Sequence, residues 1–92
     1  MGKISLTADQ IKNATFSLKP FRGYDLAATD KLLTDIEDTL WEYEAGQEAR
    51  HMTLRRLRRT TLPKAFPGGY ARDEVDALLK RAEETLEWYE QA

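Results

Sequence analysis

The stretch FSLKPFRGYDLAATDKLL, residues 16–33, meets its own likeness 46 residues further on, in LPKAFPGGYARDEVDALL at 62–79. Both pair proline with glycine ahead of a tyrosine, which interrupts helix and marks a turn, and both then open a run with helical spacing. The match extends outward without a gap. Thr7 aligns with Thr53, Thr15 with Thr61, Gly23-Tyr24 with Gly69-Tyr70, Asp30 with Asp76, and Leu32-Leu33 with Leu78-Leu79. Further along, Glu37 meets Glu83, Thr39-Leu40 meets Thr85-Leu86, and Tyr43-Glu44 meets Tyr89-Glu90. The identities fall on positions that set structure, so the chain reads as a tandem duplication. Residues 1–46 and 47–92 are then two repeats of one compact tandem domain.

Each repeat reads as a short helix, a projecting loop and a longer helix. Thr7 is an N-cap with Gln10 placed for a capping box, and Leu6 reaches Ile11 as a hydrophobic staple. Thr53, Met52 and Leu57 repeat the cap and the staple, but Arg56 stands where Gln10 stood, so half of the box is lost. Beyond the loop, Leu26, Thr29, Leu33, Ile36, Leu40 and Tyr43 follow the 3-4 spacing of a coiled-coil seam, and Arg72, Val75, Leu79, Ala82, Leu86 and Tyr89 repeat it. Three heptads are marginal alone in water, so the seams are expected to bury Leu33, Ile36, Leu40, Leu79, Ala82 and Leu86 on each other or on another chain. Gly46 costs about 1 kcal/mol inside a helix, and with the restart at Thr53 it is expected to end the first long helix. The alternative is one continuous helix that favours exchange between chains. Trp41 and Trp88 fall off the seam, so each either packs under a short helix or makes a contact surface, and the core role is the one expected. The expected fold is all-α, coiled-coil-like, in a pseudo-twofold or intertwined oligomeric arrangement.

Composition narrows the function. Ninety-two residues bury only about 60 to 65% of their unfolded surface, which disfavours a large enclosed active site. There is no cysteine and one histidine, so neither a thiolate centre nor a His-rich zinc site is expected. A formal charge of -2 argues against a globally basic nucleic-acid binder, and no apolar run reaches the roughly 18 residues of a membrane span. The opening MGKISLTADQ lacks an apolar core, so no secretory leader and a cytoplasmic location are expected. His51 has no spaced partner and no glycine-rich phosphate loop is present, so an enzyme is not expected and neither metal nor cofactor is called for.

The stretch from Phe16 to Leu33, with the Leu-Thr-Ala-Asp-Gln-Ile before it, resembles the N-terminal domain of the DivIVA family and its relative GpsB, bacterial division-site scaffolds. The likeness lies in the capped short helix, a phenylalanine, a loop ending in Arg22-Gly23-Tyr24, and a helix that opens with acids. Asp73-Glu74-Val75-Asp76-Ala77-Leu78-Leu79 is similar to that opening more closely than repeat one is. Repeat one departs from the pattern at Thr29, where the family has valine, and repeat two at Gly68, where it has arginine. The family's domain is usually single and followed by a long multimerising coiled coil, which these residues do not include. The resemblance implies a non-enzymatic scaffold of cell division or of polar or envelope growth, self-association, and attachment to the inner face of the membrane.

The same resemblance places candidate residues. Phe21 and Arg22, with Lys19 nearby, match the loop tip that touches anionic membrane, and Phe66 is the corresponding aromatic of repeat two. One such tip, worth about 1.5 to 3 kcal/mol from the ring and about 1 kcal/mol per cation, binds only weakly. Phe21 could equally fold back onto the short helix. Tyr24 with Asp30, and Tyr70 with Asp76, match positions lining a groove for arginine-bearing tails of division or cell-wall proteins, where a carboxylate grips the guanidinium fork. The local alternative, favoured for each half, is a tyrosine packed at the loop base and an aspartate in a solvated pair. Lys80, against Thr34 in repeat one, is expected to weaken the second groove. Residues 49–72 carry seven bases and no acid. Their cluster Arg55, Arg56, Arg58 and Arg59 could meet nucleic-acid or lipid phosphates, or lie against acids such as Glu37, Asp38, Glu83 and Glu84.

Overall fold

The computed structural model describes residues 4–91. Met1 to Lys3, on which the reading of the leader partly rests, lie outside them. Helix α1 spans Ala8–Lys12 and α3 Leu54–Arg59, while the long helices are α2, Leu26–Glu44, and α4, Arg72–Gln91. The capping box forms in full at α1: Gln10 N donates to Thr7 Oγ1 at 3.2 Å and Thr7 N donates to Gln10 Oε1 at 3.0 Å. At α3 the Arg56 N–H donates to Thr53 Oγ1 at 3.1 Å, and the Arg56 side chain turns away to the His51 carbonyl and to Asp35. The staple residues Leu6, Ile11, Met52 and Leu57 are all buried. Asp25 caps α2 by accepting from Ala28 N, and α2 stops at Ala45, followed by Gly46 at φ 72°. A left-handed residue there costs glycine little, so the chain leaves the helix and restarts at Thr53.

Several residues 46 apart, called repeat mates below, reproduce each other's contacts. Glu44 Oε2 accepts from Ala8 N at 2.9 Å and its mate Glu90 accepts from Leu54 N at 2.7 Å, so the end of each long helix caps the start of a short one. Tyr43 and Tyr89 stack across the pseudo-twofold at 4.4 Å, with ring planes within 1° of parallel.

The all-α expectation is overturned. Leu18–Lys19, Gly23–Tyr24, Lys64–Ala65 and Gly69–Tyr70 form strands β1 to β4 of one antiparallel sheet in the order β1-β4-β2-β3. Neither loop pairs with itself. β1 pairs with β4 (Leu18 with Tyr70, Lys19 with Gly69), β2 with β3 (Gly23 with Ala65, Tyr24 with Lys64), and the mates Tyr24 and Tyr70 face each other on the central pair. Flanking bonds extend the exchange: Ala71 N donates to the Ser17 carbonyl and its mate Asp25 N to the Pro63 carbonyl, both at 2.8 Å. The loops cross where Gly23 and Gly69 meet. A Cβ on Gly23 would stand 2.4 Å from the Gly69 carbonyl carbon, so only glycine lets the backbones approach this closely. The intertwining expected between chains takes place within one.

The helical packing is likewise not a coiled coil. Ile36, Leu40, Val75 and Leu86 are fully buried and Leu33 and Ala82 nearly so, but Leu79 is only half-buried, because the stripe is shared with Leu6, Ile11, Met52 and Leu57 beneath the short helices. Those residues fill the space expected for Trp41 and Trp88, which stand exposed. Among the described residues no helix is long and apolar enough to cross a membrane.

Candidate functional site

The strand exchange carries both loops to one end of a molecule measuring 41 × 22 × 19 Å. There the Phe21 and Phe66 rings lie 5.2 Å apart, yet remain 64% and 74% exposed. Phe21 does not fold back onto α1. The two tips expected from the repeats are therefore one, carrying two aromatic rings, the exposed Leu18, and the cations Lys19, Arg22 and Lys64. Arg22 holds φ 61°, a left-handed conformation that its mate Gly68 adopts at φ 85°. Arginine there costs about 1 kcal/mol relative to glycine, a backbone outlier of the kind found where a side chain has a task.

Exchange also re-pairs the groove residues. Tyr24 and Asp30 do not meet; instead Tyr70 Oη donates to Asp30 Oδ1 at 2.9 Å and Tyr24 Oη to Asp76 Oδ1 at 2.7 Å. Each phenol is pushed above its ordinary value first by this hydrogen bond, then by burial and the carboxylate's charge; at Tyr24, Arg72 acts in the opposite sense. A phenol that must donate favours its neutral form.

The first groove, about 530 Å³, runs between α1 and α2 over Ile11 and Leu33, with Asp30, Thr34 and Glu37 along one wall. Phe16 packs on Tyr70 at 5.3 Å to form its end. Asp30 and Glu37 lie seven residues apart and so share a helix face. The second groove, about 450 Å³, runs between α3 and α4 and contains Asp76 and Glu83. Lys80 does not line it. The cations that do are Arg58, Lys64 and Arg72, all of repeat two, with Tyr24 reaching in from repeat one.

The basic cluster is divided. Arg56 pairs with Asp35 at 3.5 Å, and Arg58 with Glu83 at 3.4 Å and Glu87 at 3.9 Å, while Arg55 and Arg59 stay exposed. Two of the four arginines thus make ion pairs within the fold while their side chains stay largely exposed. Among the described residues no group of three histidine, aspartate or glutamate side chains could hold a metal. No family model, curated protein or solved structure matches the chain.

Proposed function

We propose that the chain is a non-enzymatic scaffold module that attaches peripherally to an anionic membrane surface through its crossed-loop tip. The observation that carries this is the meeting of Phe21 and Phe66 at 5.2 Å, both exposed, on loops that also carry Lys19, Arg22 and Lys64. Two rings entering together, with three cations at the headgroups, amount to a gross gain of about 6–9 kcal/mol before the cost of immobilisation, enough for weak reversible attachment that multimerisation strengthens. The resemblance to DivIVA-like domains adds the expectation of a role in division or envelope growth at the inner face. Flotation with anionic and with zwitterionic vesicles tests the reading. Binding should require the anionic lipid, grow on fusion to a trimeric tag, and vanish with Phe21→Ala combined with Phe66→Ala, or with Arg22→Glu. Binding that survives these changes, or that moves with Arg55→Glu and Arg59→Glu instead, refutes it.

A second reading is favoured by the first groove. Asp30 has one oxygen engaged by Tyr70, leaving the other for a donor, and Glu37 has no ion pair among the described residues. An apolar floor, an aromatic end wall and two carboxylates on one face suit a peptide that brings a single arginine.

A further inference from the structure

Groove residues that are repeat mates have diverged in a consistent sense. Leu18 of the first groove is replaced by Lys64 in the second, Leu26 by Arg72, and Lys12 by Arg58, while the acids Asp30 and Glu37 are retained as Asp76 and Glu83. Two acids against one lysine have become two acids against three cations.

One of these cations, Arg58, is placed against an acid that a ligand would need, while Lys64 and Arg72 line the same groove. Arg58 Nε stands 3.4 Å from Glu83 Oε1, and Nη2 stands 3.9 Å from Oε2 of Glu87, whose mate is Trp41. Arg72, in the first turn of α4, acts electrostatically on Tyr24, the phenol that donates to Asp76. In the first groove neither Lys12 nor Glu37 forms an ion pair with any of the described residues. The second groove thus displays a guanidinium on the very carboxylate whose mate is open in the first.

We infer that the second groove is occupied in cis by the chain's own arginines, so that one chain captures one cationic peptide, in the first groove only. The inference rests on the peptide-binding reading and adds to it a valence. A protein with twofold-related grooves binds two tails and cross-links them; this one holds a single tail at one flank, with the membrane tip at its end. Arg58 is itself partly exposed and its pairs are weak individually. What bars an incoming arginine is the pairing together with the repulsion of two further cations.

The probe is a ten-residue peptide with one arginine between apolar residues, titrated by calorimetry, with the citrulline version as control. The wild-type chain should bind one arginine peptide and not the control, Asp30→Ala should weaken binding about 30-fold, and Asp76→Ala should leave it unchanged. Arg58→Gln combined with Arg72→Leu should raise the stoichiometry to two, and in the Asp30→Ala background should restore one site. Melting curves confirm that each variant is folded, and amide shift changes locate the peptide on α2 or α4. Two sites in the wild type, or equal losses from Asp30→Ala and Asp76→Ala, overturn the inference while leaving the groove reading intact. A folded Arg58→Gln, Arg72→Leu protein that still binds one peptide overturns occupation in cis. No binding of the peptide to the wild type overturns both.

Discussion

Replacing Thr29 by valine should make the protein more stable. Thr29 is fully buried in the second turn of α2, and its hydroxyl oxygen has no hydrogen-bond partner among the described residues. An orphaned buried hydroxyl costs about 1–3 kcal/mol, and threonine and valine have nearly the same shape and helix propensity. Its repeat mate is Val75, also fully buried, so the equivalent position on the other side of the pseudo-twofold accepts valine without strain. A gain of about 1 kcal/mol or more corresponds to a rise in Tm of roughly 4–8 °C for a chain of this size. Thr85→Val is the control. Thr85 is equally buried, but its Oγ1 accepts from Ser5 N at 3.0 Å, so valine would strand that donor and lower stability by about 1 kcal/mol. Thermal unfolding followed by circular dichroism reads both. A Thr29→Val protein melting at or below the parent, or one indistinguishable from Thr85→Val, would refute the assignment of an unsatisfied hydroxyl.

Arg22→Gly should raise stability by about 1 kcal/mol by releasing a left-handed arginine, while weakening flotation with anionic vesicles; loss of both stability and binding would contradict the strain argument. All four tyrosines have phenols pushed above the ordinary 10.0: Tyr24 and Tyr70 chiefly by donating to Asp76 and Asp30, Tyr43 and Tyr89 chiefly by burial. A raised folded-state value means that the stabilisation is complete below pH 10.0 and lost as pH climbs through the raised values, so phenolate absorbance should appear late in the native protein and near 10.0 in denaturant. Gly23→Ala should cost about 3 kcal/mol or more, since its Cβ meets backbone, whereas Gly46→Ala, with open space around it, should cost about 1 kcal/mol from φ alone; equal melts would dispose of the crossing. Leu40→Ala, at a fully buried seam position, should cost about 2–5 kcal/mol by the same measurement.

What could be read beforehand was local. The caps at Thr7 and Thr53, both staples and the stop after Glu44 depend on residues a few positions apart, and the structure contains them all. The sheet could not be read that way. Its strands are two residues long, too short for an alternating pattern, and every partner lies in the other repeat. The same exchange hid the true groove pairs, since Asp30 takes Tyr70 rather than Tyr24. A signal was present in the retention of both tyrosines and both aspartates at matching positions, which reciprocal exchange would require. The indoles misled because hydrophobicity indicates burial only where room exists, and Met52, Leu57, Leu6 and Ile11 had already filled it.

The crossing of the loops at Gly23 and Gly69 has a consequence for how the chain folds. The bonds that close it join Ser17 to Ala71 and Asp25 to Pro63, so each helix pair can form early but the centre must wait for a long loop to close. A repeat by itself has strand edges with nothing to pair with, and the segment between Glu44 and Thr53 serves to hold its complement at high effective concentration. Cleavage there after folding should leave two fragments that remain associated, and that find each other again only at concentrations replacing what the connection supplied. Shortening the segment until the mates cannot cross would turn the same pairing outward, so that two chains complete each other's centres and the number of loop tips presented by one particle doubles.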